Sequence, residues 1–330
     1  MNPKSDLDRE RGSARDSAEI VDIEIEETEE TTSAAELPRP ANTAPTRPDL
    51  GPPAPGPQST NQPGSGLGLV ISVAIAALVF AMSIYAAGAP TTNPIPLAQT
   101  TNALFWIVGA AATAAAGLGA VYADRTASRA KDREFHDRAP VTTAWIIPVV
   151  ATAAAIVLVA TFHNQAMFVA GPLIAFLGNA GSLLSRDLLD DADDSAQRTA
   201  TTIHALVIHA VAFLALSAIY LNKLSTPVTA LLAGVVAALL AVEALERSPV
   251  DPARRLVLSL LAGGAVAASV PPLMWWPTHG WTGGAVLFVI FYCAVGVLQT
   301  GVERRGLRLR DGLEYGLVPL AALIVLAITA

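Results

Sequence analysis

Two histidines lie inside a stretch of the sequence that is apolar and long enough to cross a lipid bilayer. The stretch covers residues 201–220, TTIHALVIHAVAFLALSAIY, and contains His204 and His209. Residues five apart on a helix of 3.6 residues per turn point about 140° apart, whereas metal-binding pairs on one helix use spacings of three or four. The two histidines therefore do not form one metal site, and each ring is expected to contact a different neighbour.

The depth of these histidines in the predicted span bears on what they could do. At 1.5 Å per residue, His209 lies about 15 Å into the membrane and His204 about 7 Å. Polar side chains at such depths face the interior of a helix bundle. Two interpretations stay open: each ring is neutral and hydrogen-bonded to a neighbouring helix, or the histidines take part in a proton relay or bind a ligand.

An acidic residue, Glu243, lies inside another apolar run at a depth that matches His204. A tight connector centred on Lys223 precedes this run, with His204 19 residues before that centre and Glu243 20 residues after it. Equal depth suggests an ion pair, but Glu243 lies about 140° from the middle of a stripe of small residues, the expected close-packing face. If that stripe meets the histidine helix, Glu243 faces elsewhere and reaches towards water near the end of its run. The stripe consists of Ala230, Gly234, Ala237, Ala238 and Ala241.

Several aspartates are predicted to lie in a loop between two apolar runs, in the sequence SRDLLDDADDSAQR. Clustered carboxylates can hold Mg²⁺ against a diphosphate, which would suit a lipid-modifying enzyme acting at the cytoplasmic face. The alternative is a solvated loop. We predict no metal site here; the weak candidates for one are Asp187, Asp190, Asp191 and Asp194, beside Asp193.

The sequence WWPTHGW gathers three indoles around a proline and a histidine at the opposite end of the predicted bundle. Its candidate residues are Trp275, Trp276, His279 and Trp281. Because Trp favours membrane–water interfaces, an aromatic belt with a tight turn is the simpler interpretation. Binding of a lipid or quinone head group at the outer interface is the alternative.

The elements that carry these residues follow from the composition. The chain is 52% hydrophobic and only 15% charged, against about 25% charged in soluble domains. Apolar runs of a length that crosses the hydrocarbon layer must form helices, because backbone in lipid has to satisfy its own hydrogen bonds. The predicted fold is an all-α integral membrane bundle of about nine transmembrane helices in residues 67–330. The predicted spans are about 67–89, 99–123, 141–161, 165–184, 200–220, 226–245, 256–276, 281–300 and 313–329.

The connectors between these spans predict the orientation of the chain. Connectors 124–140, 185–199, 246–255 and 301–312 hold 14 Lys and Arg residues, whereas the connectors on the other side hold only Lys223. Positively charged loops stay in the cytoplasm. We therefore predict a multi-pass protein of the plasma (inner) membrane with a cytoplasmic N-terminus and an extracytoplasmic C-terminus.

Residues 1–66 have the composition of a disordered, acidic, Pro-rich tail and linker. They contain no Phe, Trp or Tyr and hold six basic against 13 acidic residues, which accounts for the whole net charge of −7. Such a segment cannot bury enough apolar surface to offset its ordering entropy. Within it, residues 19–30 alternate aliphatic and acidic side chains, a pattern that could pair as a strand with a partner's sheet edge. A solvated tail is the alternative.

The sequence contains no nucleotide-binding, zinc or nucleophile motif that would indicate catalysis. The leading hypothesis is a non-catalytic membrane protein that acts in assembly, sensing or scaffolding, with the lipid bilayer and a cytoplasmic protein as partners, and with no cofactor and no nucleic acid. The alternative is a small-solute or proton-coupled transporter using His204 and His209. A lipid-modifying enzyme that uses the Asp-rich loop ranks third.

Cys293, the single cysteine, is expected to be a packing residue.

Overall fold

The structure is a computed structural model that describes most of the chain after residue 62. The described ranges are 63–87, 103–130, 142–162, 164–191, 194–222, 224–276 and 281–303, together with positions 316, 317, 320, 321 and 324. The predicted tail therefore lies almost entirely outside the described residues. The first helix begins at Pro63, four residues before the start of the first predicted span.

Every regular element in these ranges is a helix, and eight helices are described. They are α1 (Pro63–Ala87), α2 (Ala103–Ala130), α3 (Ile146–Thr161), α4 (Met167–Asp191), α5 (Asp194–Leu221), α6 (Thr226–Ala244), α7 (Pro252–Trp275) and α8 (Trp281–Glu303). Seven of them are long and apolar enough to cross a membrane, and α3 is shorter, with 16 residues. The predicted ninth span, 313–329, falls mostly outside the described residues. The predicted all-helical fold, with several helices long and apolar enough to cross a membrane, is confirmed within the described residues, whereas the count of nine is not.

The short helix α3 begins five residues later than the span predicted at 141–161. Pro148 gives the physical reason. Proline has no backbone N–H, so it is tolerated in the first turn of a helix but breaks the hydrogen-bond ladder farther in. A helix that begins at Ile146 places Pro148 in this first turn.

Helix α3 lies at the centre of the bundle and belongs to two hydrophobic cores. Twelve of its 16 residues are buried. One core is formed by residues of α1, α2, α3 and α4, and the other by residues of α3, α5, α6, α7 and α8. The protein can therefore be described as two groups of helices that share α3.

The small-residue stripe of α6 packs against α7, where two glycines let the helix backbones meet. A Cβ atom built at Gly263 would overlap the carbonyl oxygen of Gly234 and lie 2.8 Å from the Cβ of Ala238. A Cβ at Gly234 would lie 2.9 Å from the Cβ of Ala267. Small residues at such crossings are a usual device of membrane helices, because they allow close backbone approach.

Large apolar side chains stay exposed on all seven long helices, whereas no residue of α3 is exposed. Examples are Leu118 on α2, Val169 on α4 and Leu206 on α5, which are 73%, 70% and 68% exposed. In water, an apolar surface of this extent would drive aggregation, whereas lipid tails solvate it. The chain is a helical membrane protein whose long helices expose large apolar side chains in the described part of the chain.

Candidate functional site

An ion pair joins α4 to α6 at one end of the bundle. The terminal Nη2 atom of Arg186 donates to both carboxylate oxygens of Glu243, at 2.7 and 2.8 Å, and the Nε atom donates to Oε1 at 3.1 Å. The Glu243 side chain is fully buried and that of Arg186 is 10% exposed. Arginine suits this position because its planar guanidinium can engage a carboxylate through more than one donor.

Two further residues complete the contacts of the Arg186 guanidinium. The same Nη2 atom lies 2.6 Å from Glu246 Oε2, in the turn after α6, and within hydrogen-bond distance of the hydroxyl of Thr143, just before α3. Its two hydrogens are shared among these acceptors and Glu243. A single arginine is therefore shared by two carboxylates. The side chain of Glu246 is 26% exposed, so this second pair lies at the edge of the buried region.

His204 of α5 lies between the ion pair and a serine of α4. Its Nε2 atom is 3.4 Å from Oε1 of Glu243, and its Nδ1 atom is 2.8 Å from the hydroxyl oxygen of Ser185. We call Arg186, Glu243, Glu246, His204, Thr143 and Ser185 the charged cluster. Its members come from α4, α5, α6 and the segments that flank α3 and α6, so it gathers several helix ends in one place.

The contact between His204 and Glu243 corrects one of the predictions. Glu243 was expected to face away from the histidine helix and to reach towards water, but it contacts His204 and is buried. The physical reason is the packing of α6: its small-residue stripe faces α7 rather than α5, so Glu243 on the opposite side of α6 contacts α4 and α5.

Arg186, a charge of the predicted connector 185–199, is a site residue that the sequence pattern does not reveal. Hydropathy ends the fourth span at residue 184, yet α4 continues to Asp191. Ser185 and Arg186 are therefore helical and point into the bundle. A carboxylate as deep as Glu243 requires a cation, but the connectors on that side of the bundle hold 14 Lys and Arg residues, so the sequence does not single out Arg186.

The charged cluster connects helices that do not otherwise meet. In the described part of the chain, α4 and α6 do not pack against each other, although each packs against α5. Helix α4 belongs to the first core and α6 to the second. The long side chain of Arg186 spans the gap, so the ion pair ties the two groups of helices together at this end.

His209 lies apart from the charged cluster. Its Nδ1 atom is 2.7 Å from the carbonyl oxygen of Ala205, one turn earlier in α5. Three aromatic rings of α8 surround the imidazole, with centroid distances of 5.5–6.1 Å: Phe288, Phe291 and Tyr292. The two histidines thus contact different neighbours, as their spacing predicts.

The aspartates of the predicted loop lie mostly on helices. Asp187, Asp190 and Asp191 are in the last turns of α4, and Asp194 begins α5, while Asp193 is outside the described residues. Asp190 forms an ion pair with Arg247 at 3.0 Å. Within the described ranges, no group of three or more His, Cys, Asp or Glu side chains is placed to hold a metal ion.

The predicted aromatic residues at the opposite end behave differently from one another. Trp275 and Trp276 are 88% and 50% exposed. Trp281 stacks on Phe162, with ring centroids 5.7 Å apart and planes 3° apart, and also lies beside Phe213. His279 falls outside the described residues. Trp281 thus packs against Phe162 and Phe213 while staying 40% exposed, whereas no ring contact involves Trp275 or Trp276 within the described residues.

A second polar contact lies at the opposite end of the bundle. The side-chain amide of Asn222, at the end of α5, donates to the hydroxyl of Thr161 at the end of α3, at 3.0 Å. Helix α3 has 16 residues and rises about 24 Å, and its start lies three positions after Thr143. From His204 to Asn222 are 18 positions, or about 27 Å along α5. This distance is close to the thickness of the hydrocarbon layer. Together with the turn that precedes it, α3 therefore extends from Thr143 of the charged cluster to the far end.

The comparisons with known proteins point to a family rather than to an activity. The sequence profile of a family described as "Protein of unknown function (DUF5656)" matches residues 92–329. No curated protein and no solved structure matches the chain. The matched region contains α2 to α8 and all six residues of the charged cluster, whereas α1 and the acidic tail precede it. Since the match covers well over half of the 330 residues, the chain belongs to the DUF5656 family.

Proposed function

We propose that the protein acts without catalysis in assembly, sensing or scaffolding at the plasma (inner) membrane. In this proposal the N-terminus is cytoplasmic, the C-terminus is extracytoplasmic, and the acidic tail contacts a cytoplasmic protein. The excess of basic residues in alternate connectors supports the orientation. In this proposed orientation, the charged cluster lies at the cytoplasmic end of the bundle.

One observation carries this proposal: the ionised groups of the cluster bind one another. Arg186 directs its contacts to Glu243, Glu246 and Thr143. A buried arginine held by two carboxylates on other segments is suited to fixing the relative positions of helices. Substrate binding would require donors or acceptors that point towards a bound molecule.

A vesicle-binding experiment tests both the tail and the orientation. Cytosolic protein is incubated with inside-out and right-side-out membrane vesicles that contain either the full chain or a chain lacking residues 1–57. We expect a partner to sediment only with inside-out vesicles that contain the full chain, and replacing the acids of residues 19–30 by their amides should weaken its recovery. Equal recovery without the tail would remove the tail's role, and recovery with right-side-out vesicles would contradict the orientation.

The second candidate function is a proton-coupled transporter, and the contact between His204 and Glu243 favours it. Ionisable residues inside membrane bundles often mark proton pathways, and transporters move one group of helices against another around a central site. The charged cluster lies where the two groups of helices meet. The geometry favours His204 for such a role over His209, which is held by Ala205 and the rings of α8.

Proton flux into proteoliposomes, followed with a pH-sensitive dye, tests the transporter hypothesis. His204→Gln should remove most of the flux because it removes the titratable group that contacts Glu243. His209→Leu serves as the comparison and should leave most of the flux. A parent protein without flux above that of empty liposomes would rule out this function, as would a His204→Gln protein that conducts like the parent.

A further inference from the structure

The hydroxyl group of Ser185 faces two acceptors but has a single hydrogen to donate. One acceptor is the carbonyl oxygen of Ser182, at 3.0 Å, and the other is Nδ1 of His204, at 2.8 Å. The direction of this hydroxyl therefore depends on whether Nδ1 carries a hydrogen. This small rotation links the protonation of the histidine to its contact on α4.

The two directions correspond to two forms of the histidine. If Ser185 donates to Ser182, its oxygen accepts a hydrogen from Nδ1; Nε2 faces the carboxylate of Glu243 and is also best protonated, so the ring is a cation. If Ser185 donates to Nδ1, the ring is neutral with its hydrogen on Nε2, which still faces Glu243. The remaining form, neutral with the hydrogen on Nδ1, would turn the Nε2 lone pair towards a carboxylate at 3.4 Å and is disfavoured.

The uptake of a proton by His204 would change the net charge of the cluster. With a neutral histidine, Arg186 faces the two carboxylates Glu243 and Glu246 and the cluster carries one net negative charge. A cationic histidine brings the cluster to neutrality, which favours the proton because Glu243 and His204 are buried, while Glu246 stays 26% exposed. His204 is 8% exposed, so its side chain is not completely enclosed by protein.

The other elements packed on α5 add few ionisable groups. Helix α3 contains none, and Thr143 precedes it. Helix α2 does not pack on α5 in the described residues, but its Asp124 acts electrostatically on Arg186 and accepts a hydrogen bond from Thr142 at 3.0 Å. On α8, Gln299 donates to the backbone oxygen of Ala244, while Tyr292 contacts His209 instead.

We propose that His204 is a proton-binding site of the bundle, with Ser185 turning its hydroxyl between Ser182 and the imidazole as the proton arrives and leaves. The proton comes from solvent and binds Nδ1, while Nε2 keeps its hydrogen towards Glu243. Because the cluster ties α4 to α6, the proton changes the charge at the junction between the two groups of helices. This inference goes beyond the scaffolding function and does not depend on the tail.

Magic-angle-spinning NMR of the full chain in lipid, labelled with ¹⁵N and ¹³C in its five histidines, tests the proposal. The His204 signals are identified by their loss in His204→Gln. Between about pH 5 and pH 8, where histidine charge normally changes, Nε2 should stay protonated while Nδ1 gains a hydrogen as the pH falls. A ring that keeps one protonation state over this range would overturn the proposal, as would a neutral form with its hydrogen on Nδ1.

Ser185→Ala and Ser182→Ala form a matched pair for the role of the hydroxyl. They lie one turn apart on α4, both are fully buried, and the Ser182 hydroxyl has no hydrogen-bond partner in the described structure. Ser185→Ala removes the hydrogen bond between Ser185 and Nδ1 of His204, which is stronger when the imidazole is a cation. The proton affinity of His204 should therefore fall by about tenfold in this variant. Ser182→Ala should titrate like the parent, and so should Ser185→Thr, because threonine keeps the hydroxyl. Identical titration of Ser185→Ala and Ser182→Ala would refute the role of Ser185.

Discussion

Replacing Arg186 by methionine is expected to lower the free energy of unfolding by about 3–5 kcal/mol. The substitution keeps an unbranched side chain but removes the cation that holds Glu243, whose side chain is fully buried. The carboxylate would be left inside the bundle without its main partner, which is the costly part of breaking a buried pair. Reversible unfolding of the purified protein in mixed micelles measures the difference.

Arg247→Met is the control for this substitution. Arg247 also pairs with an acid of α4, Asp190, at 3.0 Å, but its side chain is 41% exposed. Exposed pairs contribute at most about 1 kcal/mol because water screens them. If both methionine variants lost the same stability, the Arg186 contacts would have no special weight in the fold.

Gly263→Ala is the second substitution with a large expected effect. The added methyl group would overlap the carbonyl oxygen of Gly234 and press on Ala238, so α6 and α7 would have to separate. Overpacking of this kind costs about 1–3 kcal/mol. The higher helix propensity of alanine offsets up to about 1 kcal/mol of that cost. The expected net result is a clear loss of stability in the same unfolding measurement.

The neighbouring glycine provides the control. A Cβ atom at Gly264 has nothing within 4 Å. Gly264→Ala should therefore leave the stability unchanged or raise it by up to about 1 kcal/mol through helix propensity alone. Equal losses in the two alanine variants would show that this close contact between α6 and α7 does not limit stability.

Much of the helical architecture could be predicted because lipid leaves the chain few alternatives. Apolar runs located the helices well, and their composition excluded a soluble fold. The ends were less predictable. Hydropathy reports the part of a helix that lies in hydrocarbon, whereas backbone hydrogen bonds continue into polar segments, so α2 extends to Ala130 and α4 to Asp191. At α3 the error had the opposite sign, because Pro148 fixes the start of the helix.

The charged cluster could be predicted only in part. Counting residues from the connector placed His204 and Glu243 at one depth, and the structure brings them into contact. Which helix a face meets depends on the packing order, and no local pattern in one sequence determines that order. In this protein, the close contact of Gly234 with Gly263 turns the small-residue stripe of α6 towards α7. Arg186 could not be identified because hydropathy places it in a loop, whereas it lies on α4.

A double-mutant cycle on Arg186 and Glu243 tests the central claim most directly: this buried pair fixes α4 against α6. Unfolding free energies are compared for the parent, Arg186→Met, Glu243→Met and the double variant. We predict that the double variant loses less stability than the two single variants together, by at least about 1.5 kcal/mol, since neither partner is then left buried alone. Losses that add to within about 0.5 kcal/mol would contradict the claim, because they would show two independent residues.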